Sequence, residues 1–137
     1  MKASLPNAEI LYVGYNGMDY LVQVASEDMV ASIQPNLSIM SRIKTRGIIV
    51  TSTSSSSKKQ YDFVSRFFAP AAGINEDPVT GSAHCCLGPY WGDKLGKKEM
   101  LGYQASARGG EVRVCLAGNR VRLGGQAVTV LRGELVS

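Results

Sequence analysis

Metal chemistry has almost no material in this sequence. Histidine occurs once, at His84, and cysteine three times, at Cys85, Cys86 and Cys115. No Cys-x-x-Cys pair and no Cys/His ligand spacing is present, and a catalytic zinc needs about three protein ligands. No metal site is expected. Three cysteines, two of them adjacent, read as reduced core cysteines of a cytoplasmic protein. Long apolar runs are missing as well. No stretch reaches the ~20 residues of a membrane span, and Met1-Lys2-Ala3-Ser4-Leu5-Pro6 lacks the apolar heart of a signal peptide. There is no arginine-rich run and no RNA-type aromatic motif. The basic residues are scattered (Lys58-Lys59, Lys97-Lys98, Arg120, Arg122), so the net charge of +4 reads as a solvated surface, not a nucleic-acid footprint. Internal repeats and a second domain boundary are absent too. A chain of 137 residues, 45% hydrophobic, suits one domain with one core over 1–137.

What is present alternates between strand and helix signals. Residues 9–15 and 20–25 read as strands joined by a turn at Asn16-Gly17, since both residues tolerate positive φ. Ser26 is a good N-cap, and Glu27 and Asp28 follow where the helix dipole favours acids. Met29, Ile33, Leu37 and Met40 supply an apolar stripe, which Pro35 is expected to break. Ile48-Ile49-Val50-Thr51 reads as a buried strand. Ser52 to Lys59 reads as a polar connector, favoured over a phosphate-binding or phosphorylated loop. Tyr61 to Phe68 returns as a strand. After Gly96, Val112, Val114 and Leu116 alternate with Glu111, Arg113 and Cys115, one face in and one out. Gly118-Asn119 reads as a turn, and Arg120–Leu123 and Val128–Leu131 as closing strands. Gln104, Ser106 and Arg108 share strand parity and hence one face, and Arg108 reads equally as part of a cleft wall or as a structural salt bridge.

One segment concentrates the chemistry: Gly73-Ile74-Asn75-Glu76-Asp77-Pro78-Val79-Thr80-Gly81-Ser82-Ala83-His84-Cys85. The residues after it, through Tyr90-Trp91 to about Lys94, are apolar or small on nearly every side, so a helix there should be wrapped by sheet on several faces. Pro89 inside it predicts a kink or local break. Thr80 is the natural N-cap, with Gly81 and Ser82 opening the first turn. Helix-start amides lack internal partners, and the dipole adds positive charge there, so they can receive a carboxylate or phosphate. Asp77 sits just outside, within reach of proton exchange with a bound anion. Burial in a cleft would raise its pKa and the helix start would lower it, and the residues leave that balance open. The plain alternative is a capped helix with Asp77 and Pro78 fixing a turn. His84 reads as a hydrogen-bonded, partly buried side chain ahead of a general acid, and Glu76 as a solvent-facing residue or ion-pair partner.

This segment resembles the phenazine-biosynthesis-like (PhzF-type) family, which shares the diaminopimelate-epimerase fold. The resemblance runs from Arg66-Phe67-Phe68-Ala69-Pro70 through Gly73–Cys85, and more weakly reaches back to Gly14-Tyr15-Asn16-Gly17-Met18-Asp19-Tyr20, so that it covers nearly the whole chain. It continues in Tyr90-Trp91, Leu95-Gly96-Lys97, Gln104-Ala105-Ser106-Ala107-Arg108-Gly109-Gly110 and Gly124-Gly125-Gln126-Ala127. It implies an α+β fold in which a curled mixed β-sheet wraps a central apolar helix, one lobe of a two-lobed protein. The family's active site lies between lobes, where both central helices point their N-termini at the substrate. Cofactor-free isomerisation or epimerisation follows, a proton moving on a small carboxylate-bearing molecule. By resemblance Asp77 and Ser82 are catalytic, and Thr80, Gly81 and Ser82 form the anion site. His84, Gln104 and Arg108 then stand in the second shell or cleft wall.

Only the second, C-terminal lobe is matched. The family's main proton-transferring glutamate belongs to the first lobe, and Glu9, Glu27 and Glu99 stand in other contexts. The chain alone is therefore expected to be inactive, and its partners to be that first lobe or a second copy in a homodimer. A non-catalytic binding or self-associating module is the rival reading. A diaminopimelate-epimerase-like enzyme is disfavoured, because aspartate and not cysteine precedes the helix.

Overall fold

The computed structural model describes residues 1–55 and 61–136, so Ser56–Lys59 of the serine-rich connector lie outside the described residues. The chain opens with a hairpin of β1 (Ile10–Tyr15) and β2 (Asp19–Val24). Its turn is centred on Gly17 and Met18: Gly17 takes φ +92°, and Asn16 Oδ1 accepts from the amides of Met18 and Asp19. Two short helices follow, α1 (Glu27–Ser32) and α2 (Leu37–Met40). Ser26 caps the first through the Met29 amide and Asn36 caps the second through the Ile39 amide, so the chain stops and restarts around Pro35 as expected. They carry the chain across to β3 (Gly47–Thr53), which runs parallel to β2. Next come β4 (Phe63–Ala69), the short β5 (Ile74–Asp77), α3 (Gly81–Leu95), β6 (Glu99–Gln104), β7 (Gly110–Ala117) and β8 (Arg120–Gly124). The sheet order is β1-β2-β3-β4-β6-β7-β8, with β5 pairing only β4. The β4–β6 pair is parallel, and α3 is its crossover.

The strands β3 and β4 are buried on both faces, which is why they read as continuous apolar runs. On one face Val22, Val30, Ile33, Met40, Ile48, Val50, Val64 and Phe68 pack under α1 and α2. On the other, Leu21, Ile49, Phe63, Phe67, Val112 and Val114 close on Ala83, Leu87 and Trp91 of α3. Trp91 is 1% exposed, stacks on Phe63 and donates to Thr51 Oγ1 at 3.0 Å. The sheet curls around α3: Tyr12 of β1 meets Tyr90, Gln23 of β2 accepts from the Tyr90 hydroxyl, and Leu123 of β8 lies 3.7 Å from the place a Cβ on Gly81 would take. The resulting α+β fold is a curled mixed sheet wrapped around a central helix.

Several local expectations need correction. The helix α3 runs unbroken through Pro89. The proline removes one backbone donor, but Gly88 and Gly92 press close against Val114 and Leu116, and this tertiary contact holds the helix together. Residues 125–136 form no strand, and Val128, Val130 and Leu131 are 85%, 93% and 84% exposed. Their β-propensity finds no ladder to join, and a strand without a partner leaves its backbone groups unpaired. Ser106 and Arg108 lie past the end of β6, in its turn to β7, so strand parity does not govern them. The cysteines are free: Cys86 is half-buried and packs against the core cluster around α3, whereas Cys115 is half-buried and Cys85 is exposed, so the expectation of core cysteines fails for Cys85. Cys85 lies on the solvent side of α3, away from the buried positions Ala83, His84 and Leu87.

Candidate functional site

The site assembles where β4, β5 and β6 deliver the chain to the start of α3. Arg66 grips Glu76 through both Nε and Nη2, at 2.7 and 2.9 Å, and places β5 beside β4. Asp77 thereby comes opposite Phe67. Ser106 Oγ donates to Pro78 O at 2.8 Å and holds the next residue of the loop. At the centre stands Gln104, fully buried at the end of β6. Its Oε1 accepts from the Thr80 amide at 2.8 Å, and its Nε2 donates to Asp77 O at 2.7 Å and to Thr80 Oγ1 at 3.1 Å. One amide side chain therefore fixes both ends of the Asp77–Thr80 turn.

Thr80 is the N-cap by position, but its hydroxyl caps nothing. It donates instead to Asp77 Oδ2 at 2.5 Å. The capping expectation is corrected by orientation: the hydroxyl is turned towards Asp77, to which it donates, and towards Gln104 Nε2, from which it accepts, so its oxygen does not face the amides of the first turn. The consequence is functional. The Gly81 and Ser82 amides keep no hydrogen bond among the described residues, and both residues are exposed. No acidic side chain occupies the first turn of α3. Asp77 Oδ1 likewise takes no hydrogen bond among the described residues, and Asp77 is half-buried. The arrangement offers two open helix-start donors and one carboxylate oxygen free to carry a proton.

The structure thus brings Asp77, Thr80, Gly81, Ser82 and Gln104 together. His84 lies one turn deeper and is fully buried, its Nδ1 2.8 Å from Thr80 O. A carbonyl only accepts, so Nδ1 carries the proton and Nε2 is a bare lone pair. Neither Nε2 nor the Oγ of buried Ser65 has a hydrogen-bond partner among the described residues. Gly102 admits the ring, since a Cβ there would lie 3.3 Å from His84 Nε2 and 2.5 Å from Phe63. Arg108 is exposed and lines a cleft of about 640 Å³ with Val79, Gly81, Gly110 and Leu123. It borders the helix start without touching Asp77. A second cleft, of about 550 Å³, is lined by Glu99, Arg113, Cys115 and Arg122 and lies apart from the α3 start.

Burial pushes the His84 pKa below its ordinary value, and the bond to Thr80 O opposes this only in part. The folded protein therefore refuses a proton that the unfolded chain accepts. Stability should be complete above about pH 6.5 and fall as pH drops from there towards the depressed folded pKa, with a slope approaching 1.4 kcal/mol per unit at most. Urea unfolding followed by Trp91 fluorescence at pH 7.5 and pH 5.5 checks this. His84→Gln should flatten that segment of the curve, since the chain has no other histidine. An unchanged slope in His84→Gln would contradict it.

Two site residues escaped the sequence reading. Asp19, at the start of β2, is 1% exposed, and Arg46 pairs with it through Nε at 2.9 Å and through Nη2. Arg46 Nη2 also donates to Ser82 Oγ at 3.0 Å. Residues 27 and 36 positions apart meet here, which no local pattern signals.

Comparison with known proteins places this geometry. Residues 4–133 match the model of a family described as phenazine biosynthesis-like protein. An uncharacterized isomerase of Halalkalibacterium halodurans is 60% identical over 126 residues, which cover 92% of this chain and 47% of that protein. An uncharacterized isomerase of Pseudomonas aeruginosa is 49% identical over 115 residues, 84% of this chain and 42% of that one. The crystal structure of a PhzF-family phenazine biosynthesis protein from Enterococcus faecalis superposes with a TM-score of 0.83 at 40% identity, covering 90% of this chain and 46% of that chain. The chain spans about half the length of the relatives it matches.

Proposed function

Because the chain belongs to the phenazine biosynthesis-like family, we propose that it is the second lobe of a cofactor-independent isomerase or epimerase that moves a proton on a small carboxylate-bearing substrate. The observation that carries this reading is the open start of α3: the Thr80 side chain caps no amide, and the Gly81 and Ser82 amides make no hydrogen bond among the described residues. Those amides hold the substrate carboxylate or a developing enolate-like oxygen. Asp77, three residues upstream and fixed by Thr80 and Gln104, takes and returns the proton. Isomerases among the relatives support the reaction class. The cleft is completed by a first lobe or by a second copy of the chain, so a monomer of this chain turns over no substrate. The free thiols fit a reducing cytoplasm, and among the described residues no helix is long and apolar enough to cross a membrane.

Calorimetric titration with benzoate tests the reading. Wild type should bind in the millimolar range or tighter. Ser82→Ala keeps the backbone amide but removes a hydroxyl that accepts from Arg46 and whose own hydrogen is left to donate to the ligand. Binding should therefore weaken about three- to tenfold, the worth of that one hydrogen bond. Asp77→Asn should tighten it by roughly fivefold through removal of a nearby like charge, about 1 kcal/mol, while the asparagine oxygen still accepts from Thr80. No saturable heat in wild type, or indifference to both substitutions, would overturn the site.

A specific observation also supports self-association. The edge strand β1 exposes Leu11, Val13 and Tyr15, and unpaired apolar edges find partners.

A further inference from the structure

The guanidinium of Arg46 is held on one edge and open on the next. Asp19 is buried to 1% exposure, and a buried carboxylate persists only when paired. It takes the Nε and Nη2 hydrogens that form one side of the planar fork. The second Nη2 hydrogen leaves along the end of the fork and reaches Ser82 Oγ at 3.0 Å. A neighbouring Nη1 hydrogen leaves along that same end, parallel to it. Nη1 makes no hydrogen bond among the described residues, and the side chain is 37% exposed.

Its position is set before any ligand arrives. The Arg46 amide donates to Met18 O, Thr45 Oγ1 bonds both Met18 O and Gly47 O, and the Phe67 ring backs the guanidinium at 5.8 Å. If neutralising Asp19 were the whole role, the side-on pair would suffice. The bond to the exposed Ser82 instead ties the fork to the first turn of α3, at a residue whose amide is open.

We propose that Arg46 is a ligand-binding, specificity-determining residue, whose Nη1 donates to the carboxylate held by the Gly81 and Ser82 amides. This rests on the function proposed above and deepens it. The two Nη2 hydrogens serve Asp19 and Ser82, so Nη1 adds one directed, charge-assisted bond to a carboxylate oxygen. The Asp19–Arg46 pair is neutral as a unit, so the selectivity is directional and does not come from bulk charge. A lysine ammonium has three hydrogens and no fork, so it cannot keep the two bonds to Asp19 and also serve Ser82 and a ligand.

The test compares benzoate with its neutral analogue benzamide, titrated into the ¹⁵N-labelled chain. The Arg46 side-chain Nε–H resonance should shift with benzoate along the same isotherm as the Gly81 and Ser82 amides, and benzamide should bind at least tenfold more weakly. Arg46→Lys should lose at least tenfold in benzoate affinity and most of the discrimination. If Arg46→Lys does not fold, the wild-type isotherms and the benzoate/benzamide ratio decide the matter. Shifts at Gly81 and Ser82 with Arg46 Nε–H unmoved, equal binding of the two ligands, or full affinity in folded Arg46→Lys would overturn the role of Arg46 and leave the anion site standing. No shift at any of these groups would overturn the site itself, and Arg46 with it.

Discussion

Replacing Gln104 with leucine is expected to cost roughly 2–6 kcal/mol of stability and to abolish anion binding. The side chain is 0% exposed and makes three hydrogen bonds to the turn before α3. Leucine fills nearly the same space, so little of the cost is a cavity. The cost comes from the partners left behind. The Thr80 amide and the Asp77 carbonyl lose their acceptor and donor while buried or half-buried, at about 1–3 kcal/mol each. Against the ordinary 5–15 kcal/mol of a domain, that is a large share. The turn that aims Asp77 and opens the Gly81 amide would lose its clamp, so benzoate binding should vanish even where the variant still folds. Urea unfolding read through Trp91 fluorescence gives the first number and calorimetry the second. A loss below about 0.5 kcal/mol would show that the turn holds itself.

The second large effect is on mass. Val13 lies opposite Val22 in the β1–β2 ladder, yet Val22 is buried in the cluster with Val30 of α1 and Val13 is 43% exposed. Leu11 and Tyr15 flank it at 55% and 54% exposed, and β1 is an open sheet edge. The apolar residues 128–136 add further uncovered surface. A two-fold pairing of such edges is the simplest closed solution. Light scattering is expected to report about twice 14.7 kDa. The double substitution Val13→Lys, Tyr15→Lys should return the chain to monomer without unfolding it, since both side chains already face solvent. A mass of 14.7 kDa for wild type across a wide concentration range would contradict the pairing.

How much of this was legible in the sequence varies with the range of the interaction. The helix α3 and its wrapping sheet were readable because Ala83, Leu87 and Trp91 recur where small or apolar residues fill nearly every side of one segment. The doubly buried β3 was readable from Ile48–Val50, and the break at Pro35 from local chemistry alone. The site was half legible. Asp77, Thr80, Gly81 and Ser82 lie together in the chain, so a motif carries them. Gln104 stood in the right strand, but its grip on Thr80 depends on a parallel β4–β6 pairing that no local pattern declares. Asp19 looks like a turn residue and Arg46 like a surface base until the parallel β2–β3 pairing brings them together. The Thr80 hydroxyl was misread for a related reason: cap statistics do not register that Gln104, 24 positions on, donates to its oxygen. Val128–Leu131 failed in the opposite sense, since β-propensity describes a residue and a strand requires a neighbour.

The central claim is that the start of α3 is a binding site for a small carboxylate and not merely a helix end. Its most direct test is a ¹⁵N titration of the wild-type chain with benzoate, mapping every amide. The Gly81 and Ser82 amides should show the largest shifts, moving together and saturating, with Thr80 and Asp77 following through the turn that joins them. If the largest shifts fall elsewhere, for example on Arg113 and Arg122 around the second cleft, or if no amide of residues 77–82 moves at millimolar benzoate, the helix start is a structural element and the account is wrong.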